Sequence, residues 1–515
     1  MACQILLIAI AAGLCVCLGG DLRRTQRPLG YLAPRTTFCG TRARLYADAR
    51  DKVALYTVRG GQCFLPRDQS EQRRLQQEWI DLSQKFGFAE YSIGVLAHAE
   101  LFNGSQEDGG TEEHRKEQYT FTDRKGRRLA LRGDVTPQFM AMLRDQWESC
   151  ADRSQGGGME TRQYSKWFTL ADCWRYERPG YCRRRNHLQW TCDIVGSPKE
   201  DAEIELLTML VTFFRKRGLS SADVAIHLSH RDAVPAMLDI LGKPTTDERW
   251  MHEFRKVVDK YRKVDRSELS SMLSALGFTP EEISKLFNLI SRCHNLATLS
   301  ELFHKETPFV GNLKNIVEGL ERAQCADWIT IDLSIVRGSD YYTGAVFECF
   351  DRLHPQHRAI AGGGRYDNYF RSRVPSDGQL AHAVGFGMGN IGMIEVLRSR
   401  GLLAPETLAD VVVFSPPMGN DEKALRGCDM VHVHKVVGAL REKGLRVYHY
   451  YKTAKWSKGL EFAERAGATS FVHPKLDVAT GTLSYQVHHI PAKSKKFWEK
   501  EELQRMVDDI STRKG

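Results

Sequence analysis

Arg337-Gly338-Ser339-Asp340-Tyr341-Tyr342-Thr343-Gly344, continued by Ala345-Val346-Phe347-Glu348, is the stretch on which the reading of this chain turns. It sets a fixed cation, a carboxylate and two adjacent phenols on one short segment. Ile331, Leu333, Ile335 and Val336 precede it, and Val346 and Phe347 lie within its end. This spacing predicts strand–turn–strand, with the turn projecting polar side chains into a cleft from a rigid base. Taken alone, the segment is equally a hairpin carrying a surface ion pair. Its company elsewhere in the chain decides.

Working outward, Cys173-Trp174-Arg175-Tyr176-Glu177-Arg178-Pro179 leads into a loop with Arg183, Arg184 and Arg185, and then to Gln189 and Asp193. The apolar pattern predicts strands over Trp167–Glu177 and Leu188–Val195. Arg175 and Glu177 then share a face, as do Gln189 and Asp193. A guanidinium fork can hold a phosphate through two bonds, and the glutamate can orient an adenine or a second arginine. An amide beside a carboxylate suits a ligand with both an amino group and ring nitrogens. The competing reading is a solvated basic hairpin. In Leu131-Arg132-Gly133-Asp134-Val135-Thr136-Pro137, Asp134 and Thr136 alternate onto one face fit for an ammonium, and turn capping is the equal alternative. Gly362-Gly363-Gly364 follows neither a dinucleotide-binding nor a phosphate-loop pattern, but it allows close backbone approach to a ligand.

The remaining body is organised around these segments. At 515 residues the chain should hold two or three domains, and 42% apolar with 27% charged residues describe a soluble globular protein. A helix is predicted over Gln69–Phe86, a strand over Tyr91–Leu96, and a hairpin from Tyr119 to Arg132. Gly156-Gly157-Gly158 reads as a flexible connection. Residues 225–325 read as an inserted helical subdomain, and Ala383–Leu397 as strand-to-helix. Beyond a boundary near Leu402–Thr407, strands at Asp410–Phe414, Leu445–Tyr448 and Thr469–Val472 alternate with helices at Val431–Lys443 and Ala454–Ala466. That alternation predicts a small α/β domain.

The first fifty residues read as an address. Ile5–Leu18 is a small-and-apolar run of signal-peptide length within residues 1–20, and residues 21–50 are basic and acid-poor like a transit peptide. Residues 1–50 carry seven arginines, two aspartates, no lysine and no glutamate, so they supply +5 of the net +9. The body is only mildly basic, which permits a polyanionic partner without demanding one. Thirteen cysteines, four of them in this leader, show no C-x-x-C pair and no zinc spacing. They read as reduced, mostly buried apolar residues, and no structural metal is indicated.

Taken together, Trp174–Arg178 through Gln189, Arg337–Glu348, and Gly363-Gly364-Arg365-Tyr366-Asp367 resemble class II aminoacyl-tRNA synthetases, and specifically the histidyl-tRNA synthetase family. The resemblance covers nearly everything after the leader. It implies an α+β catalytic domain with an antiparallel sheet over 51–400, a helical insertion at about 225–325, and an α/β anticodon-binding-like domain over 408–515. The implied reaction is ATP-dependent activation of L-histidine, with Mg²⁺ bridging the phosphates, followed by transfer to tRNA(His). Arg175 would grip the α-phosphate and the substrate carboxylate, with Arg337 acting from the opposite side. Asp134, Val135 and Thr136 would lie against the histidine, the first and last binding its amino group. Gln189, Asp193, Tyr341 and Tyr342 would shape the amino-acid pocket and read the imidazole. Glu177 and Arg183 would help to place ATP. A homodimer is implied, with residues 69–96 at its interface, as is service in organelle protein synthesis. The two-part leader favours the plastid, with mitochondrion or cytoplasm as alternatives and no stable membrane association after its removal.

Departures matter too. The resemblance would put a γ-phosphate-binding arginine at position 392, preceded by an acid, yet Gly392 and Ile391 stand there. Gly133 and Asn186 also differ from the usual residues. A silent paralogue, such as the regulatory subunit of ATP phosphoribosyltransferase or a histidine or tRNA sensor, is the rival reading; the α/β pattern after Leu408 favours a tRNA-reading protein. Lys452, Lys455 and Lys458 are candidate phosphate contacts in that last region.

Overall fold

The structure, a computed structural model, describes residues 57–103, 116–151, 164–180, 182–303, 307–336, 341–354, 358–367, 369, 382–403, 407–414, 429–451, 456–476 and 482–513. The chain divides into Met1–Arg59, of which only 57–59 are described, and a compact unit, Gly60–Gly515. The leader, Gly156–Gly158, Arg337–Asp340, Lys452 and Lys455 therefore lie outside the described residues.

The strands in chain order are β1 (Ala89–Glu90), β2 (Leu96–His98), β3 (Tyr119–Thr122), β4 (Arg128–Leu131), β5 (Ser165–Trp174), β6 (Asn186–Val195), β7 (Val224–His230) and β8 (Ile329–Ile331). There follow β9 (Ala345–Asp351), β10 (Ala361–Arg365), β11 (Ala383–Gly389), β12 (Val411–Phe414), β13 (Val447–Tyr450), β14 (Ser470–Leu476), β15 (Leu483–His489) and β16 (Ser494–Glu499). The main sheet runs β1-β5-β6-β11-β10-β9-β7-β8. Its neighbours are antiparallel except at the two ends, where β1 lies parallel to β5 and β7 to β8. A small sheet, β2-β4-β3, and a five-stranded sheet, β13-β12-β14-β15-β16, complete the set.

Alternation along β6 decides which face of the main sheet does what. Trp190, Cys192 and Ile194 are fully buried in the largest hydrophobic cluster. Helix Pro66–Lys85 lies against them: Trp79 stacks on Trp190 with centroids 5.6 Å apart, and Trp190 Nε1 donates to Ser83 Oγ at 2.9 Å. Helix Asp201–Lys216 adds Leu206, Leu210, Phe213 and Phe214 to the same layer. The other β6 residues, Gln189, Thr191 and Asp193, are thereby turned to the opposite face. Each large apolar side chain buried contributes roughly 2–3 kcal/mol, so a one-residue slip would forfeit several such terms. The register is well determined.

The helical run begins at Ala233, not 225, because Val224–His230 is a fully buried strand between β9 and β8. Its six helices end at Arg322 and share the main hydrophobic cluster through Phe254, Leu286 and Leu313. Local chemistry sets their starts: Asp247 accepts from Arg249 N and Trp250 N, and Thr279 with Glu282 forms a capping box.

Two expected strands are corrected. Tyr91–Leu96 pairs only at its ends, because its carbonyls serve side chains instead: Ile93 O accepts from Arg132 Nη1 (3.1 Å) and Gly94 O from Gln138 Nε2 (2.9 Å). The segment before Arg337 leaves the sheet at Ile331, where Asp332 closes a turn. Its carboxylate accepts from Ser334 N (3.0 Å) and Oγ (2.6 Å), and Ile335 N–H reaches Asp332 O at 3.1 Å. Strands β8 and β9 are therefore not a hairpin; both flank β7.

In the C-terminal sheet β13, β12 and β14 are parallel, and β15 and β16 add an antiparallel hairpin that the helix–strand alternation did not reveal. Helices Asp429–Glu442 and Leu503–Thr512 cover one hydrophobic cluster of this sheet. No helix among the described residues is long and apolar enough to cross a membrane.

Candidate active site

Over the polar face of β6 lies a cavity of about 70 Å³, lined by Asp134, Thr136, Arg175, Gln189, Thr191, Asp193, Tyr341, Tyr342, Tyr366, Gly362, Gly385, Phe386 and Gly387. The bare backbone of β10 and β11 makes room for it. In the antiparallel register Gly385 stands opposite Asp193 and Gly364, and Gly387 opposite Thr191 and Gly362. A Cβ at Gly385 would sit 2.0 Å from Asp193 Oδ1, and one at Gly387 2.7 Å from Gln189 Nε2. At Gly385 the backbone oxygen of Cys192 also lies 2.9 Å from that point, whereas at Gly387 the Gln189 side chain would have to shift.

Asp134 ends the strand-side approach and starts helix Thr136–Ala151. Its Oδ1 accepts from Val135 N (2.7 Å) and Thr136 N (3.4 Å), a turn-capping role, while Oδ2 accepts from Tyr341 Oη at 3.4 Å. One carboxylate thus serves both alternatives raised by its sequence. The phenol of Tyr341 packs within 4.6 Å of Tyr342 and 5.8 Å of Tyr366, centroid to centroid.

Asp193 is the centre of the site's electrostatics. It is 2% exposed; Tyr366 Oη donates to its Oδ1 at 2.5 Å, and its Oδ2 meets no hydrogen-bond partner among the described residues. Burial pushes its carboxyl up to about 7, against the downward pull of the Tyr366 bond and with help from the Asp134 charge. Gln189 Nε2 donates to Thr191 Oγ1 at 3.1 Å. Burial, then the charge of Arg175, lower His187 to about 4, so this neighbour of Gln189 is neutral near pH 7.

Arg175 lies one residue beyond β5. Its amide donates to Arg185 O (2.8 Å), and its Nε to Gly133 O (2.9 Å). The expected common face with Glu177 is corrected: β5 stops at Trp174, and Glu177 N–H turns back to Arg175 O at 2.9 Å. Glu177 pairs instead with Arg183, which also reaches Glu117 at 3.2 Å.

The structure therefore brings together Asp134, Thr136, Arg175, Gln189, Asp193, Tyr341 and Tyr342. Val135 is apart: its side chain is fully buried in a hydrophobic cluster with Phe139 and Tyr342. Glu177 and Arg183 stand outside the lining, and Arg337 lies outside the described residues. Sequence reasoning singled out Gly362 as a point of close approach but missed Thr191, Gly385 and Gly387 and gave Tyr366 no role. The same alternation that selected Gln189 and Asp193 would have selected Thr191.

The chemistry of this lining is that of a small zwitterion's receptor: carboxylates for cationic or N–H groups, a guanidinium for an anionic end. Built across the antiparallel centre of a large sheet, it is the catalytic architecture of a class II aminoacyl-tRNA synthetase. The histidyl-tRNA synthetase family model matches residues 60–390. A chloroplastic/mitochondrial histidine–tRNA ligase of Arabidopsis thaliana is 32% identical over 400 residues, covering 78% of this chain and 76% of that protein. A histidine–tRNA ligase of Opitutus terrae is 28% identical over 453 residues, 87% of this chain and 96% of that protein. The crystal structure of histidyl-tRNA synthetase from Nostoc sp. PCC 7120 superposes with a TM-score of 0.66 over 89% of this chain and all of that one, at 19% identity, a likeness of fold. The chain belongs to the histidyl-tRNA synthetase family.

Proposed function

We propose that the protein activates L-histidine with ATP and transfers it to tRNA(His). The observation that carries this reading is the Asp193 carboxylate, buried with one oxygen held by Tyr366 and the other without a partner among the described residues. A buried charge without a donor costs several kcal/mol, on the order of what a well-placed N–H returns. An imidazole N–H meets that need, and an amino acid lacking it leaves the carboxylate orphaned, which is a basis for selectivity. Asp134 Oδ2 and the Thr136 hydroxyl would take the α-ammonium, the carboxylate being held in place by the amides it caps. Arg175 commits Nε to Gly133 O and so keeps its Nη groups for the substrate carboxylate and the α-phosphate.

The histidine carboxylate oxygen then bonds to the α-phosphorus, and the bond from that phosphorus to the bridging oxygen breaks with its electron pair leaving on pyrophosphate. A ribose hydroxyl of the tRNA end next attacks the acyl carbon and AMP departs. Positioning and cationic stabilisation suffice for both steps. Arg337 is proposed to act on the α-phosphate opposite Arg175. Mg²⁺ would arrive with ATP as counter-charge to its phosphates. Glu348, opposite Gly362 in the register and so on the cavity's face, offers the oxygen donor type this ion takes.

The relative named for chloroplast and mitochondrion, with the leader's composition, supports an organelle role, the plastid first. Exposed Leu96 and Phe121 on the small sheet support a homodimer formed near there. The C-terminal sheet is proposed to hold the anticodon region, with exposed Lys458 as one phosphate contact. Pyrophosphate exchange by the purified chain tests the reading. Exchange that requires both ATP and L-histidine, followed by charging of tRNA(His), is expected; exchange that no amino acid stimulates would overturn it.

A further inference from the structure

Three arginines from separate elements lie close enough for their charges to act on one another: Arg175 at the end of β5, which lines the cavity, Arg183 in the loop before β6, and Arg358 in the approach to β10. They are not equally compensated. Arg183 holds both Glu117 and Glu177, and Arg175 gives its Nε to a carbonyl. Arg358 is only partly open to solvent and makes no ion pair or hydrogen bond with any described residue. Removal from water lowers the Arg183 pKa to about 10, and the charge of Arg358 is the next cause. The Arg358 pKa is lowered too, by removal from water and by Arg175, against the pull of Glu117. Like charges crowded together at a cost point to an anion that relieves them.

Backbone packing shows where Arg358 stands. Two residues on, Ile360 N–H bonds Cys349 O at 2.8 Å, and Gly389 N–H reaches Ile360 O at 3.4 Å. The first turn of helix Asn390–Ser399 presses its bare Gly392 against the same residue, since a Cβ there would lie 3.2 Å from Ile360 Cγ2. Position 392 thus packs on Ile360, two residues along the chain from position 358. A guanidinium absent from position 392 can be supplied from position 358.

We propose that Arg358 binds the β- and γ-phosphates of ATP and stays with the departing pyrophosphate, while Arg175 holds the α-phosphate and Arg183 braces the pair. The inference rests on the reading that the site activates an amino acid with ATP. When the bond at the α-phosphorus breaks, the electron pair goes to pyrophosphate, and Arg358 is the cation placed to offset the charge that grows there.

Titration calorimetry of the full chain with Mg²⁺-ATP and with AMP, for wild type, Arg358→Ala and Arg358→Lys, decides it. Wild type should bind ATP more tightly than AMP. Arg358→Ala should lose about tenfold or more in ATP affinity, as expected for one charge-assisted phosphate contact, with AMP and histidine affinities held within about twofold of wild type. Arg358→Lys should recover part of the loss. An unchanged ATP affinity, or an equal loss for ATP and AMP, overturns the proposal. Histidine-dependent exchange by wild type is scored separately. Its absence sinks the proposed activity, whereas the ATP-to-AMP ratio still judges Arg358.

Discussion

Two carboxylates in this protein are equally hidden from water and are treated in opposite ways. Glu203, 0% exposed, receives Arg365 Nε at 2.6 Å and Nη2 at 2.5 Å, and Arg365 also reaches Ser197 O, Lys199 O and Asp367. Asp193, 2% exposed, receives one phenol. Burial pushes the Glu203 carboxyl up, and its two short bonds from Arg365 pull it part of the way back. The residues that answer them are adjacent in the chain, Arg365 turning to the scaffold and Tyr366 to the cavity. Where the protein needs only to hold its shape, it closes the charge balance. Where a ligand must come, it leaves the balance open.

The comparison breaks most visibly at the closed end. Arg365→Ala would leave Glu203 buried and unpaired, and a loss of about 3–5 kcal/mol in unfolding free energy is expected. Urea denaturation measures it. A loss within about 1 kcal/mol, the range of a surface pair, would mean that the Glu203–Arg365 clamp is not a structural pair.

The open end should respond with the opposite sign. The Asp193 pKa is raised to about 7 from an ordinary 3.8, so the folded chain retains a proton that the unfolded chain releases between those values. Stability therefore falls as pH rises from about 4 to 7 and stays low above, by up to roughly 4 kcal/mol for a three-unit shift. Asp193→Asn removes this slope. It should match wild type in stability near pH 4, exceed it by a few kcal/mol at pH 8, and lose histidine-dependent exchange by about 100-fold or more. A variant less stable than wild type at pH 8 would reassign Asp193 to the scaffold.

This contrast also shows what the sequence made legible. Alternation is local, so β6 could be read directly: Gln189 and Asp193 share a face because Trp190, Cys192 and Ile194 need the other one. The same rule failed just past β5, where the turn bond from Glu177 N–H back to Arg175 O parts Arg175 from Glu177. Pairings across the chain were invisible for a different reason. Glu203 and Arg365 are 162 residues apart, and nothing local in either segment names the other. The glycines of β11 lay in a segment read as strand-to-helix, and their use appeared when the register set Gly385 opposite Asp193. In the C-terminal sheet the β15–β16 hairpin escaped because Ser494-Lys495-Lys496-Phe497-Trp498-Glu499 resembles a solvated surface run.

A smaller effect is expected at that glycine floor. In Gly385→Ala the new Cβ would displace the Asp193 carboxylate it meets at 2.0 Å. Overpacking of this kind costs about 1–3 kcal/mol, and the histidine KM in pyrophosphate exchange should rise while the ATP KM holds. Equal changes in both would place the damage in the sheet as a whole.

The finest adjustment is to the one side-chain bond that Asp193 makes among the described residues. Tyr366→Phe removes the phenol that holds Asp193 Oδ1 at 2.5 Å and pulls its pKa down. Without that bond the carboxyl should titrate higher still, by about one pH unit for a hydrogen bond of ordinary strength to a charged group. If the ionised carboxylate is what receives the imidazole, the acid limb of the exchange profile moves to higher pH by the same amount, and activity well above it is retained. An acid limb that stays in place while overall activity falls would show that Tyr366 shapes the cavity without tuning its charge. The difference between the two carboxylates would then rest on burial and pairing alone.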